Sequence, residues 1–80
     1  MGFTPDDRKI LECMARGGIP SVKPKKEIAA VTHAGARSVR GKGVLLLSFG
    51  SVSVMVKKGE RVSSFPQART LAATLLEHNA

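Results

Sequence analysis

Val44-Leu45-Leu46-Leu47-Ser48-Phe49-Gly50-Ser51-Val52-Ser53-Val54-Met55-Val56-Lys57 is the stretch that decides the fold class. Two β-prone runs flank Gly50-Ser51, a two-residue turn of the Gly-X kind, and together they read as a hairpin. A turn of that length sets the register: Phe49 opposite Val52, Leu47 opposite Val54, Leu45 opposite Val56. Side chains alternate along a strand, so these six share one face, which is the core face. The other face pairs Ser48 with Ser53, Leu46 with Met55 and Val44 with Lys57, and is mixed.

Working outward from the hairpin, the flanks are helical. Thr4-Pro5-Asp6-Asp7 combines a capping hydroxyl, a first-turn proline and two acids at the positive end of the helix dipole. Ile10, Leu11 and Met14 recur at helical spacing and Gly17-Gly18 supplies the stop, which places a first helix over 5–16. Pro24 opens a second helix with Ile28 and Val31 on its buried stripe and Gly35 at its end. The segment 36–43, with Gly41 and Gly43 near its close, reads as a loop or at most one helical turn. After the hairpin, a turn at Lys58-Gly59 brings Arg61–Phe65 back as a short third strand, with Glu60 facing Lys57 and Val62 facing Met55. Ser64 and Gln67 have capping-box spacing, Pro66 suits a first turn, and Ala68, Leu71, Ala72 and Leu75 form the stripe of a last helix.

The expected fold is therefore α+β, in the order α-α-β-β-(β)-α, with an antiparallel hairpin or meander packed against helices. Eighty residues make one small domain, 1–80, with a core only a few side-chain layers deep. In this strand order Val44–Phe49 lies at a sheet edge. A long apolar edge is seldom left bare, so homodimerisation or strand addition there is an expectation. Leu46, Met55 and Val62 would form a small apolar contact patch on the less buried face.

Charge is the main functional signal. Between Arg16 and Arg69 the chain carries eleven Lys or Arg residues and two acids, Glu27 and Glu60, within a net charge of +7. Lys23, Lys25 and Lys26 open the second helix, Arg37, Arg40 and Lys42 follow it, and Lys57, Lys58 and Arg61 cluster at the later turn. A solubilising surface intersperses both signs, whereas a near absence of acids points to a polyanion. Single strands and RNA are usually bound by stacking bases on aromatic residues. The chain has only Phe3, Phe49 and Phe65, with no Trp or Tyr, and two of the three are core candidates, so double-stranded DNA is favoured. The second helix, segment 36–42 and the hairpin resemble a winged helix-turn-helix in outline. A recognition helix needs more turns than 36–40 can supply, however, and the hairpin tip carries no charge.

Other chemistries are excluded by pattern. Gly35–Gly43 has five residues before Gly-Lys where a phosphate-binding P-loop has four, no Ser or Thr after it, and a helix-then-strand context instead of the reverse. Cys13, His33 and His78 lack metal-ligand spacing, Cys13 reads as a buried thiol, and His33 reads as a dipole partner at a helix C-terminus. Glu27 and Glu60 sit among lysines and read as local charge balance, so no catalytic, cofactor or metal residue is assigned. One cysteine forms no internal disulfide, and no run is long enough to span a membrane, which suits a cytoplasmic protein.

The expectation is a non-enzymatic small bacterial or phage regulatory or accessory module. It would contact the phosphate backbone of double-stranded DNA through Lys23, Lys25, Lys26, Arg37, Arg40, Lys42, Lys57, Lys58 and Arg61. The alternative is a small inhibitor or adaptor that binds an acidic surface of a partner protein.

Overall fold

The computed structural model describes residues 2–80. Helix α1 (Pro5–Ala15) starts where its capping chemistry places it. The Thr4 hydroxyl accepts from the Asp7 N–H at 3.1 Å while the Asp7 carboxylate accepts from the Thr4 N–H at 3.0 Å, a reciprocal box with Asp in the usual Glu position. It ends at Gly17, whose φ of 82° lets the Gly18 N–H turn back to the Cys13 carbonyl at 2.9 Å. Helix α2 (Pro24–His33) and helix α3 (Pro66–His78) each take a proline in the first turn and have no side-chain cap. The Ser64–Gln67 box does not form. Phe65 is the cap residue of α3, and the Ser64 hydroxyl donates back to the Arg61 carbonyl at 2.6 Å.

The hairpin has the register that its turn requires. Strands β2 (Val44–Phe49) and β3 (Val52–Lys57) pair Phe49 with Val52, Leu47 with Val54 and Leu45 with Val56, and Gly50 takes φ 60° at the tip. The third strand comes from the other side of the sequence. Strand β1 (Arg37–Arg40) pairs antiparallel with β2, giving the sheet order β1-β2-β3. Gly41-Lys42-Gly43-Val44 is thus a tight hairpin turn, closed by the Gly41 N–H on the Val44 carbonyl at 2.8 Å with Gly43 at φ 67°. The glycines that suggested a loop are what allow the chain to reverse.

Two expectations are corrected by this order. Val44–Phe49 is the central strand, hydrogen-bonded on both sides, so it offers no edge to a second copy; the edges belong to β1 and β3. Residues 61–65 are not a strand, and Val62–Ser64 form a single 3₁₀ turn. The reason lies in where their groups go. Val62 enters the core with no exposure, and the Ser63 N–H donates to the Glu27 carboxylate at 3.0 Å where a strand would need a sheet partner.

Helices cover one face of the sheet. α1 packs between α2 and α3, and α3 lies on β3 and β2. Leu47, Val54 and Val56 point into that layer with Leu11, Met14, Val31, Leu71 and Leu75, while Leu45, Phe49 and Val52 pack at its margin. The six residues assigned to the core face from the turn all lie there.

Candidate nucleic-acid interface

The alternation that buries Leu47 and Val54 turns their neighbours outward. Three cross-strand rows make up this second face: Arg37–Ser48–Ser53, Val39–Leu46–Met55 and the Val44–Lys57 pair. Val39 and Met55 are 57% and 60% exposed. Sequence reasoning placed Leu46 and Met55 on this face and missed Val39. The signal was the Gly41-Lys42-Gly43 turn, which, read as a hairpin, sets Val39 opposite Leu46. Val62, expected beside Met55, is instead fully buried and leaves the patch.

One backbone hydrogen bond gathers the basic residues at an end of the sheet. The Lys58 N–H donates to the Gly43 carbonyl at 3.0 Å, which sets the Gly41–Gly43 turn beside the end of β3. Lys42, Lys57 and Lys58 therefore come together from segments separated by the whole β2–β3 hairpin, and Arg40, which pairs with Leu45, stands at the same end with its side chain on the helix-facing side. Arg37 stands at the opposite end of β1, and all five side chains are exposed. The Gly41–Val44 pair also sets which backbone groups of β1 face β2. Hydrogen-bonded pairs alternate in an antiparallel ladder, so Ser38 and Arg40 turn their N–H groups to the free edge. Backbone donors beside cationic side chains are the parts from which phosphate contacts are made.

Arg61 is not available for such contacts. Its guanidinium donates to the Pro20 carbonyl at 3.3 Å, the Val22 carbonyl at 2.5 Å and the Glu27 carboxylate at 2.5 Å. Glu27 is fully buried, so it is a structural anchor for the chain 34 residues away and not a local charge balance among lysines. It also accepts from the Ser63 hydroxyl at 3.0 Å. A carboxylate with no access to water is tolerated only when its oxygens are occupied in this way.

This anchor sets the place of the lysines on α2. It ties the start of α2 to Arg61, which is three residues, or at most about 11 Å of chain, from Lys58. Lys23, Lys25 and Lys26 are exposed there, beside a shallow groove of about 540 Å³ lined by Ile19, Pro20, Val22, Pro24 and Arg61. Cations at a helix N-terminus oppose the helix dipole, so local stability does not account for their placement. Glu60 is the one acid near the cluster, and its carboxylate accepts from the Lys57 N–H at 2.9 Å. Among the described residues the only ion pairs are His33–Asp7 and Arg61–Glu27, so the lysines and Arg37 and Arg40 are unpaired.

His33 lies in the last turn of α2, as a dipole partner should, and also bonds Asp7 at 2.9 Å. Burial alone would raise the Asp7 carboxyl, but hydrogen bonds from Thr4 and His33 outweigh it and hold the carboxyl below its ordinary value. The pair joins the start of α1 to the end of α2. No group of three His, Cys, Asp or Glu side chains among the described residues is arranged to hold a metal ion. No helix of the described residues is long and apolar enough to cross a membrane. No family model, curated protein or solved structure matches the chain.

Proposed function

We propose that this protein is a non-enzymatic module that binds the phosphate backbone of double-stranded DNA through the basic end of its sheet. The observation that carries this reading is the Lys58–Gly43 bond, which sets the Lys42 turn beside Lys57 and Lys58 at one end of the sheet, where Arg40 stands on the helix-facing side. They lie in a stretch, 28–59, that contains no acidic residue. Arg37 on the same sheet and Lys23, Lys25 and Lys26 on α2 extend the positive surface. Such a surface attracts a polyanion over distances of about a Debye length, and it gains affinity by releasing the counterions condensed on DNA.

The reading makes a quantitative demand. Five phosphate contacts, one each from Arg37, Arg40, Lys42, Lys57 and Lys58, give a log–log salt slope of about −4.5. Affinity for a mixed-sequence duplex should then fall about 500-fold between 50 and 200 mM salt. Fluorescence anisotropy with a labelled duplex measures this directly, and the double variant Lys42→Ala/Lys58→Ala should flatten the slope by about 2. Salt-independent affinity, or a double variant with the parental slope, overturns the proposal.

A further inference from the structure

Resting on that reading, we infer that the outer face of the sheet enters the DNA major groove, with the row Val39–Leu46–Met55 against the base edges. The helices lie over the inner face of the sheet, so outward Val39 and Met55 stay more than half exposed, with Leu46 half-buried between them. Exposed aliphatic side chains occur singly on most surfaces, but here the pairing register aligns three across adjacent strands.

Size then selects the occupant. Three strands spaced about 4.8 Å apart make a sheet about 14 Å across, far too wide for a minor groove about 6 Å wide; it can only lay its face along a major groove about 12 Å wide, with side chains and not backbone reaching in. An RNA duplex has a major groove too deep and narrow for a sheet. Single strands need stacking partners, and this face has no aromatic residue.

Chemistry agrees with size. The major-groove edge of thymine carries a methyl group, a partner for Val39, Leu46 and Met55. The serines of the neighbouring row, Ser48 and Ser53, are short and let the backbone come close. Cations stand at both ends of the apolar row, Arg37 at one and Lys57 with Lys42 and Lys58 at the other. They are placed to reach phosphates while the row faces the bases. None of the residues in the three cross-strand rows is acidic.

The test uses four duplexes of one sequence: ordinary DNA, DNA with uracil for thymine, DNA with glucosylated 5-hydroxymethylcytosine, and RNA. The glucosylated duplex keeps every phosphate and fills the major groove. Ordinary DNA should bind tightest, with losses of about tenfold or more for the glucosylated and RNA duplexes and about threefold for the uracil duplex. In Val39→Ser/Met55→Ser the difference between thymine and uracil should shrink, Leu46 alone remaining, while thermal melting stays close to parental, since both positions are exposed. Equal binding of ordinary and glucosylated DNA overturns the groove assignment and leaves the phosphate reading intact. A protein that ignores all four duplexes but binds poly-glutamate overturns both, in favour of an acidic protein partner.

Discussion

Both faces of the sheet carry aliphatic residues, and those residues meet opposite fates. On the inner face Leu47, Val54 and Val56 are at most 3% exposed; on the outer face Val39 and Met55 are more than half exposed. Hydrophobicity does not separate them, because Leu46 and Leu47 are adjacent and identical. What separates them is the two-residue period of a strand and the side on which α3 lies. The difference teaches that an apolar residue in so small a domain is committed to the core only when a helix is there to receive it. Acidic groups follow the division in part: Glu27 is sealed beneath Arg61 on the side of the helices, whereas the cross-strand rows of the outer face carry Arg37 and Lys57 and no acid.

The largest way to break this comparison is to open the seal. Arg61→Ala strands the Glu27 carboxylate, which is fully buried, and removes the donor to the Pro20 and Val22 carbonyls. Removing one partner of a buried pair costs about 3–5 kcal/mol. That would take a large part of the roughly 5–15 kcal/mol that holds a small domain together. Urea unfolding measures the loss, and a change below about 1 kcal/mol would show that the pair is not the anchor the geometry implies. Glu27→Ala/Arg61→Ala should lose less than Arg61→Ala alone, since it leaves no buried charge behind.

Next in size is the adjacent pair of leucines. Leu47→Ala should cost about 2–5 kcal/mol, from lost burial plus the cavity left beneath α3. Leu46→Ala should cost well under half of that, because Leu46 is only half-buried and no helix lies over it. Comparable losses at the two positions would mean that something covers the outer face in solution, a second copy of the chain included, and a concentration-dependent melting temperature would identify that case.

How far this comparison was legible in the sequence depends on the range of the interactions involved. Gly50-Ser51 fixed the register of β2 against β3, and from it which six residues face inward, because a two-residue turn leaves no freedom. Thr4-Pro5-Asp6-Asp7 announced α1 because capping is local. β1 was missed because Arg37-Ser38-Val39-Arg40 is exposed along its whole length and so shows no alternation of apolar and polar residues. The pairing order then came out wrong, and Val62 with it. The basic residues of the candidate site could be read off one by one, but their convergence depends on the Lys58–Gly43 bond. Arg61 was counted among them because its partner Glu27 lies 34 residues away. Contacts at that separation leave no mark on local pattern.

A smaller test concerns acid. The Asp7 carboxyl is held below its ordinary value near 3.8 by Thr4 and His33. A folded-state value that is depressed contributes stability that is present above the unfolded value and lost as pH falls through the folded one. Melting temperatures of the parent and Asp7→Asn should therefore differ most near neutrality and converge as pH drops below 3.8. A constant gap down to low pH would mean that the carboxylate charge adds nothing to the cap and the α1–α2 link.

The smallest expected effect is the sharpest probe of the outer face. Glu60 accepts from the Lys57 N–H and places one negative charge among Lys57, Lys58 and Lys42. Glu60→Gln keeps an acceptor oxygen for that N–H and removes only the charge. Its effect on stability should stay within about 0.5 kcal/mol, the range of an exposed substitution. Its effect on DNA should be a gain of about twofold at low salt that fades as salt rises past about 0.15 M, where the Debye length falls to about 8 Å. The corresponding change on the sealed side, Glu27→Gln, also removes one negative charge but does so inside the protein, and should lower stability without tightening DNA binding. If the two variants change DNA affinity alike, net charge alone governs binding. If only Glu60→Gln tightens it, the position of the charge beside Lys57 is what DNA senses.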